Sequence, residues 1–198
     1  MNYDFFAFLS RMKYIDRWSL MRSTVRENVQ EHSHTVAVLA HALGLIRRDV
    51  FHDAACDPEH LAAVALFHDA PEILTGDLPT PVKYHSRRIK SAYDEVERLA
   101  AEKLLTGLPE ELRADYALLL NAASRKEEYL LVKAADRLSA YIKCVEERRA
   151  GNREFLSAER STLLRLREMN LPEVDYFLAH FMESFEKSLD ELGTLEEQ

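Results

Sequence analysis

Glycine and proline are scarce in this chain, five and six in 198 residues, and they fall largely between stretches of helical periodicity. That punctuation leaves little room for hairpins or strand bulges and favours long uninterrupted helices. Phe5, Phe6, Leu9, Met12 and Lys13 predict a short first helix with an aromatic face. From Asn28 the spacing Val29, His32, Val36, Leu39, Leu43, Ile46 predicts a second. Asp57-Pro58-Glu59 combines an N-cap acid, proline at the first helical position and a further acid for the dipole, starting a helix to about Ala70. Further helices are expected over residues 86–106, 110–122, 126–149, 154–169 and 173–192, with irregular loops at 16–26 and 73–81. No internal repeat or convincing strand emerges. The expectation is an all-α, single domain over residues 1–198, a bundle of about eight helices around one core.

A hydrophobic share of 47% with 30% charged residues is globular, and no apolar run is long enough for a bilayer, so no membrane role is expected. The opening Met-Asn-Tyr-Asp-Phe-Phe lacks the basic region of a signal peptide. Cys56 and Cys144 form no C-x-x-C motif, so a reducing, cytoplasmic setting is the default. A net charge of −8 argues against binding a nucleic-acid polymer, though not against a small anion met by local positive charge.

Three places set ligand-type side chains into apolar helical stretches. His32 lies on the second helix's apolar stripe, and His68-Asp69 follows Leu66-Phe67. Asp136 sits among Val132, Ala135, Leu138 and Ser139. Buried imidazoles and carboxylates are costly without partners. Taken singly, each histidine reads as a packed core residue, and Asp136 has Arg137 and Lys133 as conceivable counter-ions. Together the four would offer two nitrogen and two oxygen ligands to one divalent cation, with positions left for water and substrate. His34, two residues from His32, cannot readily share that face. The run Glu146-Glu147-Arg148-Arg149 reads as a solvated helix face.

His…His-Asp…Asp on an all-helical chain resembles the HD-domain metal-dependent phosphohydrolases, and more closely the bacterial 5′-deoxynucleotidases among them. The blocks that carry the likeness are Arg17-Trp18-Ser19-Leu20-Met21-Arg22, Glu27 to Ser33, Phe67 to Tyr84, Lys133 to Asp136 and Asp175 to Phe177. The resemblance implies His32, His68, Asp69 and Asp136 as metal ligands, His32, Asp69 and Asp136 also contacting substrate. It implies Arg17 as the residue orienting phosphate and Trp18 as a ring that leaves no room for a 2′-hydroxyl. Asp77, Leu78, Pro79 and Thr80 would line the nucleotide pocket, and Glu72 would activate water. The implied activity is hydrolysis of deoxyribonucleoside 5′-monophosphates, with Co²⁺ or Mn²⁺ as the cation in assays and a homodimer as the assembly. Another HD-type nucleotide hydrolase and a non-catalytic nucleotide-binding module remain the alternatives at this point. Lys83 reads either as a further positive charge near the phosphate or as a solvated loop lysine, and an apolar stripe of Tyr176, Phe177, Phe181 and Phe185 could serve either a dimer or the core.

Overall fold

In a computed structural model, residues 3–83, 85–121 and 126–193 are described, with backbone alone at 126–128. Ala122 and Tyr84, named above as a helix end and a motif end, lie outside them. Helices follow the sequence as α1 (Phe5–Leu9), α2 (Val29–Leu45), α3 (Pro58–Phe67), α4 (Glu72–Thr75), α5 (Thr80–Lys83), α6 (Arg87–Leu105), α7 (Glu110–Leu120), α8 (Lys126–Arg149), α9 (Leu156–Arg167) and α10 (Pro172–His180). No strand occurs among the described residues, where an isolated bridge joins Asp16 to Asn28.

Local chemistry explains the starts. Asn28 accepts from the Glu31 amide while the Glu31 side chain accepts from the Asn28 amide, a complete capping box. Asp57 accepts from the His60 amide ahead of Pro58 at the first helical position. Helix α2 is the central element, packed between α3 and α8, with α9 on the far side of α8. Val36, Ala40 and Leu43 of α2 meet Leu61 and Val64 of α3 and Leu131, Ala135 and Leu138 of α8 in the main core. Gly44 permits the α2–α3 approach, because a Cβ there would lie 2.9 Å from Leu61 Cδ1 and 3.0 Å from Pro58 Cα. A smaller cluster of Phe5, Ala70, Leu104 and Leu108 joins α1 to α6 and the chain after α3.

Several expectations need correction. Helix α3 stops at Phe67 instead of Ala70, and the loop expected over residues 73–81 contains two single turns, α4 and α5. Pro71, with φ −56°, opens α4, and its carbonyl accepts the Leu74 amide. The last expected helix breaks after His180 and continues as 3₁₀ turns at Met182–Glu186 and Asp190–Leu192. Phe177 is buried, and Tyr176 and Phe185 pack against the main core, leaving Phe181 exposed. The core therefore claims most of that aromatic stripe.

Candidate metal centre and active site

The packing brings three of the four ligand candidates together. One ligand atom each from His32 on α2, His68 just past α3 and Asp136 on α8 lie within 4.8 Å of one another. His32 Nε2 is 3.1 Å from Asp136 Oδ1 and 3.5 Å from Asp69 Oδ2, and His68 Nε2 is 3.1 Å from Asp69 Oδ2. Despite these distances, both Nε2 atoms are buried without a hydrogen bond among the described residues. Orphaned buried nitrogens facing carboxylate oxygens suit a cation better than they suit one another.

The outer nitrogens are occupied. His68 Nδ1 lies 2.6 Å from the Ala65 carbonyl, which can only accept, so the proton sits on Nδ1 and the Nε2 lone pair faces the cluster when the ring is neutral. His32 Nδ1 pairs with Ser139 Oγ at 3.3 Å. Burial, then the Arg17 charge, push the His32 imidazole below its ordinary value against the pull of Asp136 and Asp69. Burial also disfavours a charged His68, yet the adjoining Asp69 outweighs it and lifts that imidazole to about 9. A dication held by these nitrogens would compete with any proton on His68. Burial opposes ionisation of Asp136, but His32 and His68 bring it down to about 2.

Asp136 is not the enclosed carboxylate its neighbours suggested. Its side chain is 37% exposed, although enough protein surrounds the carboxylate to oppose its ionisation. Arg137 donates to the Arg165 carbonyl and is not its counter-ion. Leu66, expected to help bury the His68-Asp69 pair, is itself exposed. His34 points to solvent, as the helical spacing required.

Arg17 and Trp18 stand on a loop whose ends meet. The Arg17 amide donates to the Glu27 carbonyl and the Val29 amide to the Ile15 carbonyl. Arg17 Nη1 donates to Asp69 Oδ2 at 3.4 Å, linking the loop to the ligand cluster. Burial alone would weaken this guanidinium's hold on its proton, but Asp69, Asp136, Glu27 and Asp77 reverse the effect and keep it charged. The half-buried Trp18 ring packs on Phe155, with centroids 5.3 Å apart.

Beneath the loop, Glu147 accepts from the Thr24 amide and hydroxyl, the Val25 amide, Lys143 Nζ and Asn152 Nδ2. The charge run expected to be a solvated face is thus wrong at this position, where Glu147 is 1% exposed. Its role had no local sequence signal, since its loop partners lie more than a hundred residues earlier.

Glu72 on α4 is 5% exposed, and its Oε2 has no partner among the described residues. Burial, then Asp69 and Asp77, push its carboxyl up to about 10. Asp77 is half-buried, and burial raises it against the pull of Arg17. Leu78 and Pro79 are half-buried beside it, and exposed Thr80 begins α5. Lys83 is committed elsewhere: Nζ donates to Glu97 at 2.8 Å and lies over the Tyr93 ring.

Residues 4–185 match the family model described as 5′-deoxynucleotidase YfbR-like. The chain belongs to that family. Among this 5′-deoxynucleotidase family's curated members, a 5′-deoxynucleotidase of Vibrio atlanticus is 50% identical over 190 residues, spanning 96% of this chain and 97% of the relative. One of Erwinia tasmaniensis is also 50% identical, over 96% of each chain. Solved structures share the family member's fold. An HD-domain phosphohydrolase of Listeria innocua superposes with a TM-score of 0.80 at 24% identity, over 92% of this chain and 88% of that one. A cyanophage S-2L HD phosphohydrolase, bound to dA and one catalytic Zn²⁺, does so at 0.65 and 18% identity, over 90% and 96%.

Proposed function

We propose that the chain is a metal-dependent 5′-deoxynucleotidase, cleaving deoxyribonucleoside 5′-monophosphates to deoxynucleoside and phosphate. Membership of the family supports the activity. The observation that carries the metal requirement is the pair of buried Nε2 atoms, each with its Nδ1 already engaged and neither hydrogen-bonded among the described residues. His32, His68 and Asp136 would hold one divalent cation with Asp69 as the fourth ligand. When bound, that cation supplies Lewis acidity to the phosphate and lowers the pKa of water.

The chain's own residues do the remainder. Arg17 presents a planar fork that a phosphate accepts better than it accepts an ammonium. Glu72, within the same electrostatic field, takes the proton from the attacking water, its elevated pKa falling when a dication offsets Asp69 and Asp77. Trp18 sits where a bulky ring disfavours a 2′-hydroxyl, and Asp77, Leu78, Pro79 and Thr80 line the nucleotide side. His32, Asp69 and Asp136 meet the phosphate through the cluster. Residues 1–198 form one domain.

No helix among the described residues is long and apolar enough to cross a membrane. Cys56 and Cys144 are both free thiols, which supports a cytoplasmic setting. We place the chain there as a homodimer, without a nucleic-acid partner. The acidic balance supports the last point, and the exposed Phe181 is an apolar contact available to a second copy.

The test is phosphate release from dAMP, dTMP and AMP after chelation and after adding Co²⁺ or Mn²⁺, with elemental analysis of the purified protein. Turnover should require metal and favour dAMP. Equal turnover of AMP defeats the sugar preference, and no turnover of any monophosphate defeats the assignment.

A further inference from the structure

Arg17 and Trp18 are consecutive, yet their side chains end at the same atom. Glu27 Oε2 accepts from Arg17 Nε at 3.3 Å and from Trp18 Nε1 at 3.1 Å. The left-handed backbone at Trp18, φ +55°, accompanies this convergence of two adjacent side chains. A tryptophan holds that conformation only where its surroundings impose it. The Glu27 carboxylate is 15% exposed, so water competes poorly for these donors.

The loop does not need the Glu27 side chain to close. Its neck is made by backbone groups, Arg17 amide to Glu27 carbonyl and Val29 amide to Ile15 carbonyl. Its far side is held by Glu147 through Thr24 and Val25. What the carboxylate alone does is fix two side chains relative to each other. One of them also reaches Asp69 in the ligand cluster, at 3.4 Å.

We infer that Glu27 is the positioning residue that couples phosphate recognition to sugar selection, by locking the Arg17 fork and the Trp18 ring onto one carboxylate oxygen. The inference rests on the roles given to Arg17 and Trp18 under Proposed function. It makes the rejection of ribonucleotides a property of three residues and not of the Trp18 ring alone. A carboxylate that only balanced the Arg17 charge would leave Trp18 and the sugar preference untouched when altered.

The experiment compares Glu27→Ala, Glu27→Gln, Arg17→Ala and Trp18→Ala in the metal-loaded enzyme, measuring kcat and KM for dAMP and AMP. Trp18 is the only tryptophan, so its emission and acrylamide quenching report the ring's position without any reference to activity. Glu27→Ala should lower kcat/KM for dAMP roughly 10- to 100-fold. It should also cut the dAMP-to-AMP preference by roughly tenfold and expose Trp18 to quencher. Glu27→Gln keeps an oxygen for the indole N–H and loses only the charge; it should raise KM while retaining preference and emission. If Glu27→Ala fails to fold by circular dichroism, Glu27→Asp, which draws the carboxylate back by one methylene, carries the same expectations. Unchanged preference and unchanged Trp18 quenching in the folded variant overturn the inference, provided Trp18→Ala does lower the preference. If Trp18→Ala leaves the preference intact, the sugar role of Trp18 falls, and the coupling to selection falls with it. Arg17→Ala that leaves KM for dAMP unchanged removes the phosphate half in the same way.

Discussion

Replacing Glu147 by glutamine tests whether the loop carrying Arg17 and Trp18 is held from below by charge. The Glu147 carboxylate is 1% exposed and gathers donors from Thr24, Val25, Lys143 and Asn152. Burial alone would raise its pKa, but the Lys143 ammonium, then the Thr24 amide and the Asn152 side chain, bring it from an ordinary 4.5 down to about 2. That depression corresponds to about 2–3 kcal/mol of folding free energy at neutral pH, after allowance for the shallow cover a single loop provides. The variant also leaves Lys143, 8% exposed, beside a neutral amide. Urea unfolding at pH 7 should therefore show a loss of about 2–3 kcal/mol, and the melting temperature should fall by roughly 5–10 °C. The sign with pH follows from a depressed pKa. The stabilisation is complete above the unfolded value and is lost as pH falls towards the folded one. The gap between parent and variant should then narrow below pH ~5, with roughly half gone by pH ~3.5. A gap under ~0.5 kcal/mol at pH 7, or one that does not change with pH, refutes the charge clamp.

Two other perturbations probe different links. Glu72→Gln keeps the shape of a buried side chain that is 5% exposed and removes its proton chemistry; kcat for dAMP should drop at least ~100-fold with KM close to the parent value, and retained kcat would remove Glu72 from the reaction. Gly44→Ala forces a methyl to within 2.9 Å of Leu61 Cδ1 and 3.0 Å of the Pro58 backbone. Denaturant titration should show destabilisation of about 1–3 kcal/mol, and a neutral result would mean that α2 and α3 separate freely.

What the sequence revealed divides along a physical line. Caps are local chemistry, so the Asp57-Pro58 start could be read from neighbouring letters, whereas Asn28 was read only as the start of helical spacing and its capping box came from the structure. The candidate ligands could be read too, because His32, His68 and Asp136 contradict the apolar periodicity around them, and such a contradiction needs a partner. Asp136 shows the limit of that logic: apolar neighbours along a helix do not say whether its end of the groove opens to water. The Glu147 clamp was invisible for a stronger reason. An acid four residues from a lysine looks like any surface pair, and what buries it is the backbone of Thr24, 123 residues away. Glu27 was visible as part of a motif but silent about its partners, since its convergence with Arg17 and Trp18 depends on a left-handed residue that no periodicity predicts.

The distances along the chain between interacting groups have a consequence for how the enzyme comes into being. His32 meets Ser139 across 107 residues, and the loop amide of Thr24 meets Glu147 across 123. A chain made from its N-terminus exposes both histidines and Glu72 long before α8 exists to supply Asp136, Ser139 and the clamp. Contacts of such long range are the late and slow ones to form. Until α8 docks, the chain holds an incomplete set of candidate ligands and a loop without its Glu147 anchor. Competence to cut deoxynucleotides thus arrives together with completion of the fold, and an unfinished chain is inert towards them.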